Sequence, residues 1–305
     1  MVTFGLYQNF SEVGFQDYQY TVIDIGNLGG PLENTIPIGM NNKGQVVGQS
    51  QNSAGEWHAF VWSAGEGMKD LGTLGGKESR AISINENGDV FGESQVKNGK
   101  ARRFRWSNGK MTDLGPTDTG VLRFDDSQAV GNVAMMNGTS QEAAYWNNGG
   151  VERLGTLGGN FSTARGYTTA GVVVGEAESN RQRIRPTIWV PQGKKKYVAK
   201  DLFETLNAPE LEGRALNVSD AGQVVGEATS NKGNYAFVWN AQEGVRDLNP
   251  LLRDSDPGVA NKTWTLNKAT AVNNCGQIAG EGNASDKGGG RAFLLTPLGT
   301  AVCGK

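Results

Sequence analysis

Hydrophobic and polar residues alternate in short runs along most of this chain, and Gly and Asn separate the runs. Residues 79–115 hold four of them in succession: SRAISIN, DVFGESQ, KARRFRWSN and KMTDLG. Alternation over such lengths, bounded by turn residues, predicts half-buried β-strands joined by tight hairpins. The core of the second run, Gly88-Asp-Val-Phe-Gly92, recurs at 44–48, 171–175, 222–226 and 276–280, with a worn copy ending at Gly131. Each closing Gly but the last is followed by an aromatic mark 13 to 15 residues later: Trp62, Trp106, Trp146, Trp189 and Trp239. Leu294 or Leu295 takes that place in the last copy. The closing glycines step by 44, 39, 44, 51 and 54 residues, the period range of propeller blades.

Six inner strands are expected to begin near Thr35, Ser79, Val121, Thr163, Arg214 and Lys268. Second strands carry the Gly-x-Val-x-Gly cores, third strands end at the Trp positions, and fourth strands run near 18–25, 67–72, 110–114, 150–154, 198–202 and 244–248. The chain thus starts with a fourth strand and ends with three strands that lack one. Pairing the N-terminal strand with the C-terminal blade leaves no open edge. The expectation is an all-β, six-bladed propeller of four antiparallel strands per blade over 18–297, after an arm at 1–17 and before a tail at 298–305. Inner strands turn at Asn-x-x-Gly, where Asn bonds its own backbone two residues on and Gly supplies positive φ. The third repeat, Val121 to Gly131, lacks the turn Gly, which leaves its hairpin open to question.

These segments resemble the HAF-repeat family, bacterial proteins described as extracellular repeats. The resemblance rests on His58-Ala59-Phe60, the LGTLGG loops at 71–76 and 154–159, the Asn-x-x-Gly-Gln-Val-Val-Gly cores, Trp264-Thr-Leu and the ending Ala292-Phe-Leu-Leu-Thr-Pro297. It spans roughly 20–297 and implies export and a propeller-like fold, with no ligand or catalytic residue attached.

Composition narrows the function classes. Gly, 45 of 305 residues, lies at fixed offsets and so marks turns, not a linker. A net charge of −2 gives no global attraction to nucleic acid, and no apolar run is long enough to span a membrane. MVTFGLYQNF shows no basic segment followed by an apolar stretch, so either the protein stays inside or Met1 replaces a removed leader; with the resemblance, the expectation is an extracellular, periplasmic or surface protein. One His, no nucleophile elbow and no Cys pair at metal spacing point away from metal, cofactor and His chemistry.

A repeated charge pattern is the main candidate site. If Asn85 pairs with Gly88, Arg80 falls opposite Glu93, and the same spacing sets Arg214 opposite Glu227 and Lys268 opposite Glu281. These pairs read either as register-fixing ion pairs or as a charged ring at the channel mouth; a one-residue bulge would break the pairing. Two long loops, 203–213 and 249–267, reach the same end and add Arg253 and Trp264. Ligand contact is therefore assigned to Arg80, Arg214, Arg253, Trp264 and Lys268. Trp57 also lies outside the packing phase of the repeat Trp residues and is a ligand candidate.

The preferred function is a monomeric binding module for carbohydrate or another polar ligand, anionic ones included, at the propeller funnel. A carboxylate-based polysaccharide enzyme using Glu210, Asp254 or Asp256 is one alternative, and a protein-interaction scaffold is another. Cys275 and Cys303 are expected to form a disulfide clasp in an oxidising compartment, the other reading being two independent thiols.

Overall fold

Six four-stranded antiparallel sheets form, each ordered from an inner strand outward, and together they make a six-bladed β-propeller. The computed structural model describes residues 19–32, 34–117, 120–134, 140–148, 150–193, 196–206, 208–231, 233–253, 264–285 and 290–299. The expected arm lies outside the described residues, as does the tail beyond residue 299. The inner strands of blades 1 to 6 are Thr35–Met40, Gly75–Ile84, Val121–Phe124, Gly158–Tyr167, Glu212–Val218 and Trp264–Val272. The sixth blade closes as expected: Tyr20–Asp24 pairs antiparallel with Arg291–Pro297, setting Tyr20 opposite Pro297 and Asp24 opposite Phe293.

The aromatic mark has one structural position. Trp62, Trp106, Trp146, Trp189 and Trp239 lie opposite the first residue of each second strand, and Leu295 takes the place in blade 6, opposite Ile278. Trp189 is fully buried and Trp62 and Trp239 nearly so, within apolar clusters that join neighbouring blades. A wedge-shaped gap between sheets is filled best by large side chains at one phase, and Trp62, Trp106, Trp189 and Trp239 serve as packing, while Trp146 holds the same position half-buried.

The first hairpin of each blade is where the local chemistry is clearest. Gly88 sits at φ +88 and donates its N–H to the Asn85 carbonyl at 3.1 Å, while Asn85 Oδ1 accepts from Asn87 N at 3.0 Å. The same bonds form at Asn41 and Asn273. Blade 3 does form its hairpin: Asp125 replaces the Asn, and its Oδ1 accepts from Ser127 N at 2.7 Å and Gln128 N at 2.9 Å. That turn is one residue shorter, which removes the need for Gly.

These turns also bond to one another around the far end of the channel. Asn273 Nδ2 donates to the Asn41 carbonyl (3.1 Å) and Asn41 Nδ2 to the Asn85 carbonyl (3.0 Å). Ala221 N donates to Asn274 Oδ1, and Thr169 N to Asp220 Oδ1. Ser83 Oγ donates to the Phe124 carbonyl and Tyr167 Oη to Asp125. All six turns are thereby linked blade to blade.

Candidate functional site in the propeller channel

Every inner strand carries a one-residue bulge at the same height. Ala81 faces Gly92 and Ser83 faces Phe91, which leaves Ile82 unpaired. By the same register skip, Ile38, Leu122, Arg165, Leu216 and Thr270 are the extra residues of the other blades. A bulge turns its extra side chain away from the ladder, and these six side chains form a collar inside the channel. The closing Gly of each Gly-x-Val-x-Gly core makes this possible. A Cβ at Gly226 would lie 2.0 Å from the Arg214 carbonyl and 2.8 Å from the Phe237 ring; at Gly92, Gly175 and Gly280 it would meet the matching carbonyl at 2.0–2.1 Å.

The bulge does not break the expected ion pairs, because a second offset cancels it. The residue opposite Asn85 is Asp89, whose carbonyl accepts the Asn85 N–H at 3.0 Å, and not Gly88, so the turn itself shifts register by one. The bulge shifts it back, and Arg80 does face Glu93, Arg214 faces Glu227 and Lys268 faces Glu281. Each pair closes at 3.1 Å, with side chains about a third to a half exposed on the basic partner. Exposed pairs of this kind contribute ~0.2–1 kcal/mol each. They ring the near mouth, where the inner strands begin.

Below them lies a chamber of about 290 Å³, walled by the collar and by Ile36, Arg80, Arg123 and Lys268. Arg165 reaches from the collar to Glu176, with Nη2 2.6 Å from Oε1. Glu176 is only 2% exposed and also has Arg214 Nε at 3.9 Å. Burial pulls the Arg165 guanidinium down, but Glu176 outweighs it and the net shift is upward. Arg123 behaves differently. It crosses from blade 3 to donate Nη2 to the Ile38 carbonyl of blade 1 at 2.6 Å. Burial holds its guanidinium below the usual range, with only Tyr167 acting the other way.

A groove of about 280 Å³ opens beside the near mouth between blades 1 and 2. Trp57, Glu78, Glu93 and Gln95 line it, and it shares Gln49 and Arg80 with the chamber.

No protein-family model matches this chain, and neither does any curated protein. Among solved structures it is similar to a gluconolactonase from Xanthomonas campestris, at 9% identity and TM-score 0.50, covering 93% of this chain and 92% of that one. TolB from Acinetobacter baumannii shares 16% identity at TM-score 0.49, over 83% of this chain and 63% of that one. The β-propeller domain of the Trilobed protease from Pyrococcus furiosus shares 11% at TM-score 0.49, over 88% and 84%. At such identities the likeness concerns the fold alone.

Of the residues singled out in the sequence, Arg80 and Lys268 line the chamber and Arg214 stands at its mouth. Trp264 does not join them. It is 7% exposed and packs edge-on against Phe293 at 6.1 Å, in the cluster that seals blades 5 and 6. The inner strand of blade 6 starts earlier than expected, which draws Trp264 into the sheet and its ring into the core. Arg253 is exposed but lies beside the N-terminal strand, donating its N–H to the Tyr20 carbonyl at 3.0 Å, on the outer side of blade 6. Glu210 is exposed on the rim and bound to Arg183. Asp254, Asp256 and Cys303 lie outside the described residues. Cys275 is 7% exposed in the first turn of blade 6, and Pro297, the end of that blade's third strand, lies beside the neighbouring Gly276.

Sequence reasoning missed Arg123 and Arg165. A signal was available for Arg165: the collar residue stands ten positions before the closing Gly in five blades and nine in blade 3, where it is Leu122, so the same spacing does not mark Arg123.

Proposed function

We propose that this chain is a monomeric binding propeller of the HAF-repeat type, acting outside the cytoplasm, that takes a carbohydrate or another polar ligand at the near mouth. The observation that carries this reading is the groove beside Trp57. It sets one partly exposed aromatic face among amide, carboxylate and guanidinium groups, and it runs through Arg80 into the chamber. Sugars are held by such a combination of a flat apolar face and directional hydrogen bonds. Among the described residues no helix is long and apolar enough to cross a membrane. The Cys275–Cys303 clasp belongs to the same proposal, since it requires an oxidising compartment.

The enzyme alternative finds less support, because Glu210 is committed to Arg183 and stands apart from the chamber. A glycan array at low and moderate salt tests the binding reading. Glycan binding that Trp57→Ala abolishes and Arg214→Ala weakens a few-fold is the expected result. A blank array from a folded protein would overturn it and favour a protein-interaction scaffold.

A further inference from the structure

The chamber has an unusual charge balance. Four cationic side chains reach its wall (Arg80, Arg123, Arg165 and Lys268), and no carboxylate does. Three of the four are neutralised from behind by second-strand acids, Glu93, Glu176 and Glu281. Arg123 is not. Among the described residues its guanidinium has the Ile38 carbonyl as acceptor and no acidic partner. A guanidinium carries five N–H donors, so one carbonyl leaves most of its capacity unused. Arg123 is half-buried, and a cation drawn partly out of water without an anion is costly and is seldom kept without a use.

The rest of the wall tells what kind of anion would fit. Ile36, Ile38, Ile82, Leu122 and Leu216 surround the cations with apolar surface. A phosphate or sulfate, polar on every side, would leave oxygens against those side chains. A carboxylate places two oxygens on one end of a carbon body, matching Arg123 bidentately and the collar by contact. The volume suits a compact body, at the lower end of the usual range for ligand pockets.

We propose that the chamber is a binding site for a small organic carboxylate, with the carboxylate on Arg123 and the carbon body against the collar. The ligand could be a free organic acid or the acidic end sugar of a glycan lying in the Trp57 groove. The inference rests on the preceding reading only in taking the near mouth as the way in.

Titration calorimetry on the full chain decides it, with benzoate standing for a free acid, D-glucuronate for an acidic sugar, benzyl alcohol and D-glucose as neutral counterparts, and inorganic phosphate as the competing anion. The expected result is that benzoate or glucuronate binds while its neutral counterpart does not, with phosphate weaker. Benzoate alone identifies a free acid as the source; glucuronate with dependence on Trp57 identifies the sugar. Arg123→Met should weaken carboxylate binding about ten-fold or more, the loss of a charge-assisted bond. The same variant should melt no lower than wild type without ligand, because it removes an unneutralised, half-buried charge. Leu122 is 37% exposed, so Leu122→Glu should fold normally and abolish binding by occupying Arg123 from within. This second variant decides the matter if Arg123→Met does not fold. Absence of carboxylate binding to wild type, equal binding of the neutral counterparts, tighter binding of phosphate, or binding unchanged in Leu122→Glu would each overturn the inference. Neutral-glycan binding that needs Trp57, with no carboxylate binding, would sink the chamber site and leave the groove standing. Carboxylate binding with a blank glycan array would do the reverse.

Discussion

Arg105 and Asp89 show how much one position of the repeat can vary while the turn survives. Three blades place Gln directly after the turn Gly (Gln45, Gln223 and Gln277), and blade 2 places Asp89 there, which Arg105 Nη2 reaches at 2.7 Å. Ser107 and then Arg105, through hydrogen bonds, hold the Asp89 carboxyl below its ordinary 3.8, with burial opposing them and Asn85 assisting. The folded state therefore binds this proton less readily than the unfolded chain does. The resulting stability is fully present above the ordinary carboxyl value and is lost as pH falls through the lower, folded one. Asp89→Asn is expected to cost about 1 kcal/mol at pH 7. The difference from wild type should shrink as pH drops below 3.8, measured by denaturant midpoints along a pH series. At the same scale, the three mouth pairs were readable from spacing because cross-strand register is arithmetic. Arg123 was not, since its partner is a carbonyl two blades away.

The inner hairpin is the element on which the blade depends. Its turn Gly needs positive φ, while its closing Gly needs the absence of a side chain, so two glycines of one motif serve different physical ends. Gly226→Ala would drive a methyl into the Arg214 carbonyl and the Phe237 ring, and is expected to lower stability by about 3 kcal/mol through overpacking. Gly65→Ala is the control: nothing lies within 4 Å of its added Cβ, and its denaturation midpoint should match wild type closely. The motif was visible as a repeat, and its meaning as a bulge was not. Register alone offers two solutions, with and without the extra residue, and the turn offset and the bulge conceal each other at the strand ends.

At the scale of the whole molecule, ring closure joins the two ends of the chain. Tyr20 and Val22 are buried in the blade 5–blade 6 cluster, and Asp24 binds Arg291. Removing residues 1–24 would expose the third strand of blade 6 along its whole length and open the cluster beneath it. Such an edge pairs readily with another chain. The truncated protein is expected to form concentration-dependent assemblies by light scattering, where the full chain stays at one mass.

Strand number, blade phase, ring closure and the packing role of the Trp series follow from the chain alone, because each is a consequence of period and of the need to leave no edge unpaired. The collar, the unneutralised Arg123, the Arg165–Glu176 pair and the burial of Trp264 required the folded ring. Those features depend on which side chains from separate blades meet across a shared axis, and no spacing within one repeat carries that distance. The chemistry proposed here sits in that second set: a channel wall is assembled from six inner strands at once, so its charge balance exists only after closure.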